Sequence, residues 1–266
     1  MARTPSVLAM TGHTTASKIE NCFLCALPAP VMARLLPALE PVELKRGRTL
    51  GHLGAPQTNL YFVDRGLVSL VRVMLDGRMV EVGAIGPEGI SGAEGLWEGA
   101  PCMLEAMVQV PGHAHRLPAR ILRELLGHDP RTAHLLQAYV QALVGQIAQT
   151  AACNRLHTLE ERFARWLLIA GDAAGADAFA LTHEFLGTML GVRRASVTLV
   201  AGEMQARGLV ICGRGQIEIR DRPGLEGLAC ECYRTARDQY ERLYGARVPA
   251  RVCSDTVAAI RASSVR

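Results

Sequence analysis

The sequence predicts an α+β protein in three parts: an N-terminal β-roll of the jelly-roll kind, a long central helix and a C-terminal winged helix-turn-helix. Three observations carry this. Between Pro41 and about Pro118, short apolar or alternating runs are separated by glycine-rich turns. Asp129-Pro130 then opens a long stretch with helical periodicity. From Leu181 to Arg222, two short helical patterns joined by a glycine turn lead into a hairpin pattern.

Composition sets outer limits. A chain of 266 residues has room for two domains, and 49% hydrophobic content with mixed charge marks a globular protein. A net charge of +4 is too mild to argue for nucleic acid alone. Its distribution says more: six arginines face three acidic residues between Arg193 and Arg222. No apolar run is long enough to span a bilayer, and the first 18 residues lack a signal-peptide core. A cytoplasmic location without membrane contact is therefore expected, with its eight cysteines reduced.

Residues 1–18 read as a flexible leader. Residues 19–128 are assigned to the β-roll with its preceding helices, which Pro28 and Pro30 break. Strands are expected at Val42–Leu44, Tyr61–Val63, Leu67–Met74, Val80–Val82, Leu104–Val110 and His113–Leu117. Asp76-Gly77 between two of them is a strong hairpin signal. The loop from Gly86 to Gly95 has glycines at every third position, a pattern that suits either a strand connection or an anion cradle. Residues 129–157 form the central helix. Leu136, Val140, Leu143 and Ile147 step by four, three and four, the spacing of a two-stranded coiled-coil seam. That stripe is expected to join two copies. Residues 158–225 hold the helix-turn-helix and wing, starting with the capping box Thr158-Leu-Glu-Glu161. Residues 226–266 read as a last helix and a frayed tail.

Thr182 is placed to cap a helix with an inner face of Phe185, Leu186, Met189 and Leu190. Gly187 permits close approach of a second helix, and Gly191 supplies a positive-φ turn. The second helix starts near Arg193 or Arg194 and buries Val197, Val200, Ala201 and Met204. Its outer face offers Arg193, Arg194, Ser196 and Thr198. Such a basic helix start fits entry into the DNA major groove. Gly213 and Gly215 between Leu209–Ile211 and Ile217/Ile219 make the wing, with Arg214 at its tip.

The order of these parts resembles the Crp/Fnr family of bacterial transcription regulators, over about residues 20–225. The likeness is carried by Gly66 after the Tyr61–Val63 strand, the Asp76-Gly77 hairpin, Gly89-x-x-Gly92-x-x-Gly95, and LT-x-x-x-LG-x-x-LG-x-x-R-x-SV from Leu181. It implies a cyclic-nucleotide-binding-like roll, a homodimer on a two-fold-symmetric operator in double-stranded DNA, and contact with RNA polymerase. It also implies Arg194 as the base-reading arginine, Ser196 as a phosphate contact, Thr198 as a base contact, and Arg193 and Arg214 on the backbone. The departures are informative. Ala93 replaces the glutamate that holds ribose in cyclic-AMP-binding members, with Glu94 beside it, and Gly99–Glu105 has no arginine for a phosphate. An effector in the pocket of Gly89, Gly92, Glu94, Gly95 and Met103 is then not expected to be cyclic AMP. In the recognition helix, Ala195 and Leu199 replace a glutamate and an arginine, so the operator should differ from that of the cyclic-AMP branch.

No cofactor is identified and no metal is expected. Cys22-x-x-Cys25 has no second pair at ligand spacing, and His113-x-His115 lacks a nearby carboxylate in sequence. The alternatives are a cupin-type metal enzyme built on the roll, or a ligand-binding module acting on a protein partner. No motif demands a nucleophile or general base, and the reading is of a non-enzyme.

Overall fold

The computed structural model describes residues 18–213 and 215–245. The expected leader and tail lie almost wholly outside them. Helices α1 (Cys22–Ala26) and α2 (Ala29–Leu35) lead into strands β1 (Glu40–Leu44), β2 (Thr49–Gly51), β3 (Asn59–Val73), β4 (Met79–Ile85), β5 (Ile90–Ser91) and β6 (Glu105–Pro118). The helices break at Pro28, whereas Pro30 sits in the first turn of α2, where its missing N–H removes no helical bond. The antiparallel sheet runs β1-β6-β3-β4, with β2 also on β6 and β5 on β3.

Two strands are longer than the sequence suggests. The expected pairs at 61–63 and 67–74, and at 104–110 and 113–117, are each one continuous strand. They bend together where Gly66 and Gly112 meet. A Cβ on Gly112 would lie 2.1 Å from the Arg65 carbonyl oxygen, and one on Gly66 2.7 Å from that of Val110. Register shifts mark the same place. The glycines therefore bend the strands rather than end them.

After α3 (Ala119–Leu126), helix α4 (Pro130–Leu156) runs for 27 residues, a rod of roughly 40 Å. Asp129 caps it by accepting the Thr132 N–H at 3.0 Å. Then follow α5 (Leu159–Ala174), β7 (Ala178–Ala180), α6 (His183–Leu190), α7 (Arg194–Ala206), β8 (Val210–Gly213), β9 (Gln216–Ile219), α8 (Arg222–Leu228) and α9 (Cys232–Tyr244). The Thr158/Glu161 capping box starts α5, and Gly175 in the left-handed region ends it. Strand β7 pairs with β9 beside β8.

The central helix has three sides. Leu136 belongs to a core shared with α1–α3 and the roll; Val140 and Leu143 pack against it, and Leu143 and Ile147 against a second roll core. Of the stripe expected to join two copies, Leu136 is buried within the chain, while Val140, Leu143 and Ile147 pack against these cores and stay partly exposed. Periodicity reports that a face is apolar, and here its own roll covers it first. Helix α9 lies on another side, close enough that a Cβ on Gly145 would stand 2.4 Å from the Gln239 amide. The third side, Gln137, Gln141, Val144, Ala148, Ala151 and Arg155, is exposed and repeats at coiled-coil spacing.

Helix α5 is buried almost all round, with Phe163, Ala164, Leu167, Leu168 and Ala170 at 0% exposure. Its core takes in Leu67, Ala84 and Val110 of the roll together with α6, α7 and the wing. Trp166 donates from Nε1 to the buried Glu81 carboxylate at 3.2 Å, and Ser69 donates to the same oxygen. Burial pushes the Glu81 carboxyl up, against the opposing influence of Ser69, Arg165 and Trp166. The neutral form is thus favoured in the fold. Its stabilisation is full below the ordinary carboxylate pKa and is lost as pH rises through the raised one. Glu81→Gln keeps a neutral acceptor for Trp166. The melting temperature of wild type should fall relative to that of the variant as pH is raised upward from the ordinary carboxylate range. Parallel melting curves over that rise would show that Glu81 ionises without penalty.

Candidate nucleic-acid interface

The helix-turn-helix is built locally. Thr182 accepts the Phe185 N–H at 3.3 Å and caps α6. Leu186, Met189 and Leu190 are buried on its inner face, while Phe185 is half-buried under the Arg46 guanidinium. Gly191, at φ 66°, closes the helix in the left-handed region. Gly187 meets the incoming chain: a Cβ there would lie 2.9 Å from the Val192 carbonyl oxygen and 3.3 Å from the Arg194 nitrogen. Val197, Val200, Ala201 and Met204 bury one face of α7. From α5, the buried Arg162 donates to the Leu190 carbonyl and satisfies the end of α6.

The opposite face of α7 is open. Arg193, Arg194, Ala195 and Thr198 are exposed, Ser196 is half-buried, and Leu199 is 65% exposed. Arg193 occupies the N-cap without a side-chain cap, so two exposed arginines stand at the start of the helix. That combination, with the positive end of the helix dipole, favours a phosphate. The Thr198 hydroxyl is engaged locally, donating to the Arg194 carbonyl at 3.1 Å and lying 3.0 Å from His183 Nδ1. What it offers outward is its methyl group. Burial, and then the charge of Arg194, hold His183 below the usual imidazole range, so the neutral ring suits this pairing.

Beside this helix, β8 and β9 form the wing hairpin, with Gly215 at φ 79° in its turn. Arg214 lies outside the described residues. Arg220 is exposed and paired with Glu218 at 3.3 Å.

Comparison with known proteins fits this geometry. Residues 161–228 match the Crp-like helix-turn-helix domain and residues 41–129 the cyclic nucleotide-binding domain. The chain carries both domains of Crp/Fnr-type transcription regulators, with the helix-turn-helix as the DNA-binding domain, and that family is not one of enzymes. The chain is 29% identical over 198 residues to the transcriptional regulator SdrP of Thermus thermophilus, covering 71% of this chain and 94% of that one. It is 23% identical to the global nitrogen regulator of Synechococcus elongatus, over 68% and 86% of the two chains. Among solved structures, a Crp/Fnr regulator of Thermus thermophilus superposes with a TM-score of 0.55 at 27% identity, over 71% and 98%. A Crp/Fnr-family protein of Eubacterium rectale shares the fold with a TM-score of 0.60 at 19% identity, over 76% and 94%.

The glycine loop is used for packing. A Cβ on Gly92 would lie 2.5 Å from the Asn59 carbonyl oxygen, one on Gly95 2.6 Å from that of Gln57, and one on Gly89 2.9 Å from the Tyr139 hydroxyl. The spacing therefore lets neighbouring chain pass close by. Burial and the nearby Glu94 carboxylate push the Cys102 thiol up to about 11. Arg123 is occupied with the Gly95 carbonyl at 2.8 Å, and Met103 is 74% exposed. A cavity of about 400 Å³ lies elsewhere, among the roll, α5 and α9, with Glu20, Arg65, Glu88, Asp172, Tyr233 and Arg237 in its wall. None of the five expected pocket residues lines it.

The other singled-out residues disperse. His115 is buried with Nδ1 2.7 Å from Asp64, so the carboxylate missing beside it in sequence comes from another strand. Cys22 is half-buried, and burial pushes its thiol up to about 12. Cys25 is disulfide-bonded while Cys22 is free, so the expectation of reduced thiols does not hold at Cys25.

The helix-turn-helix packing gives a direct test. Gly187→Val should destabilise the protein by about 1–3 kcal/mol through overpacking against Val192 and Arg194. Denaturant unfolding measures this, and an unchanged midpoint would mean that the two helices do not meet at Gly187.

Proposed function

We propose that the protein is a homodimeric, sequence-specific regulator that reads a two-fold-symmetric operator with one α7 helix in each of two adjacent major grooves. The observation that carries this is the open cationic start of α7: Arg193 and Arg194 both exposed over a fully buried inner face. Arg194 bonds a guanine edge, Arg193 and Ser196 hold phosphates, and Thr182 sits at the edge of the contact surface. Thr198 and Leu199 bring apolar groups to thymine methyls. Arg214 at the wing tip is assigned to backbone contact from its place in sequence.

Dimerisation is assigned to the free side of α4, centred on the 60%-exposed Val144. It is preferred to the stripe Leu136, Val140, Leu143 and Ile147, which packs largely against the chain's own cores. The effector of the roll is not cyclic AMP in this reading. Glu94 and the exposed Met103 offer a cyclic phosphate no compensating cation. A cytoplasmic location and contact with RNA polymerase complete the reading; no helix among the described residues is long and apolar enough to cross a membrane.

Selection of bound sites from random DNA, followed by sequencing, should yield an inverted repeat with a guanine in each half-site. A motif without two-fold symmetry would overturn the dimer reading. Arg194→Ala should cost about 1–3 kcal/mol on that site and relax one base position. An equal loss on random DNA would reduce Arg194 to a phosphate contact. Val144→Asp should shift the protein from dimer to monomer in sedimentation. An unchanged dimer would move the interface off α4.

A further inference from the structure

We infer that Cys153, His157, Cys230 and Cys232 form a tetrahedral zinc site that pins the joint between the central helix and the DNA-binding unit. Their four ligand atoms all lie within 4.8 Å of one another. Cys153 Sγ is 3.6 Å from Cys230 Sγ, and Cys232 Sγ is 3.5 Å from His157 Nδ1. Metal–ligand lengths of about 2.3 Å to sulfur and about 2.0 Å to nitrogen require tetrahedron edges of roughly 3.8 Å between sulfurs and roughly 3.5 Å between sulfur and nitrogen. The Cys153–Cys230 and Cys232–His157 edges are close to these values, and the other edges lie within 4.8 Å.

The local sequence supports the spacing. Cys153 and His157 stand one helical turn apart at the end of α4, and Cys230-x-Cys232 opens α9. All three thiols are buried and form a cluster of their own. The surroundings are those of a ligand set. His157 turns Nε2 toward Glu231 at 3.2 Å, the carboxylate–histidine arrangement that fixes the tautomer and leaves Nδ1 for a metal. Gln149 donates to Cys232 Sγ at 3.0 Å. Three thiolates and one zinc ion carry a net charge of −1. Arg162 and Arg165 are buried on α5, each with an Nε that has no hydrogen-bond partner. Buried cations of this kind suit an anionic metal centre.

Zinc binding expels the thiol protons and changes no oxidation state. Sequence spacing pointed to no metal, because the two halves of the set are 77 residues apart. The site joins His157, the C-cap of α4, to the start of α9, while Thr158 next in the chain caps α5. Holding that corner sets the direction in which α5 carries the helix-turn-helix; this consequence rests on the DNA-binding reading, whereas the site itself does not.

The test uses the full chain purified without chelator. Elemental analysis should find about one zinc per chain, released by a mercurial thiol reagent, and cobalt substitution should give the intense charge-transfer and d–d bands of tetrahedral thiolate coordination. Cys232→Ser and His157→Ala should lose the metal, and Cys22→Ser should keep it. Because a ligand variant can fail to fold, Glu231→Gln provides a second arm on an exposed side chain: zinc affinity should fall roughly tenfold. A metal-free protein that takes up neither zinc nor cobalt, or a Cys153–Cys230 disulfide in fresh protein, would overturn the site. Zinc present but operator affinity unchanged on its removal would retain the site and overturn its role at the joint.

Discussion

Enclosure of α5 is the constraint on which the rest of the structure depends. A helix that is apolar on nearly every side has to be surrounded, and here the roll, α6, α7, the wing and α8 do so. Truncating a side chain such as Phe163 or Trp166 to alanine in such a core typically costs about 3–5 kcal/mol. That scale is comparable with the whole stability of a small domain. The roll and the DNA-binding unit are thereby parts of one apolar core. The three ionisable groups on this core, Glu81, Arg162 and Arg165, stand where it touches something polar. Glu81 takes the Trp166 N–H, and Arg162 takes the end of α6.

How much of this was legible in the sequence follows the range of the interactions. The helix-turn-helix is specified by contacts a few residues apart, and Thr182, Gly187, Gly191 and the apolar steps of α7 all carry its signature in the chain. The Thr158/Glu161 capping box and the Asp129 cap are local for the same reason. What depended on distant partners was misread or missed. The stripe from Leu136 to Ile147 is apolar in either use, and only the folded roll shows which surface covers it. The long strands looked divided because Gly66 and Gly112 interrupt the pattern, although their function is to let two backbones bend at one point. His113-x-His115 showed no carboxylate because Asp64 arrives from another strand. The thiol cluster was invisible for the same physical reason.

The roll itself has been turned from cradling toward packing at the glycine loop. Gly92 and Gly95 face carbonyl oxygens of residues 57–59, and Gly89 faces Tyr139 of the central helix. Tyr139 both accepts from the Ile90 N–H at 2.8 Å and donates to the Ile90 carbonyl at 2.9 Å. A movement of this loop would therefore be felt first by α4, through a residue buried in the core that helix shares with the roll. Any effector acting in this roll has a short mechanical path to the central helix, whatever its chemistry.

That path and the metal-ligand cluster meet on one rod. Tyr139 lies in the first half of α4, Val144 and its neighbours expose a free side through the middle, and Cys153 and His157 end it. Along these positions α4 touches the glycine loop, presents its unpaired stripe, and turns into α5. A rigid helix transmits rotation along its length but cannot by itself fix the angle of the element that follows it. Without a constraint at His157, the capped start of α5 would have only core packing to hold its direction. Four ligands drawn from the end of α4 and the start of α9, which also packs on α5, supply a constraint that an apolar core, being non-directional, does not. On this argument the cysteines at 230 and 232 belong functionally to the end of the central helix, although the chain reaches them only after the wing.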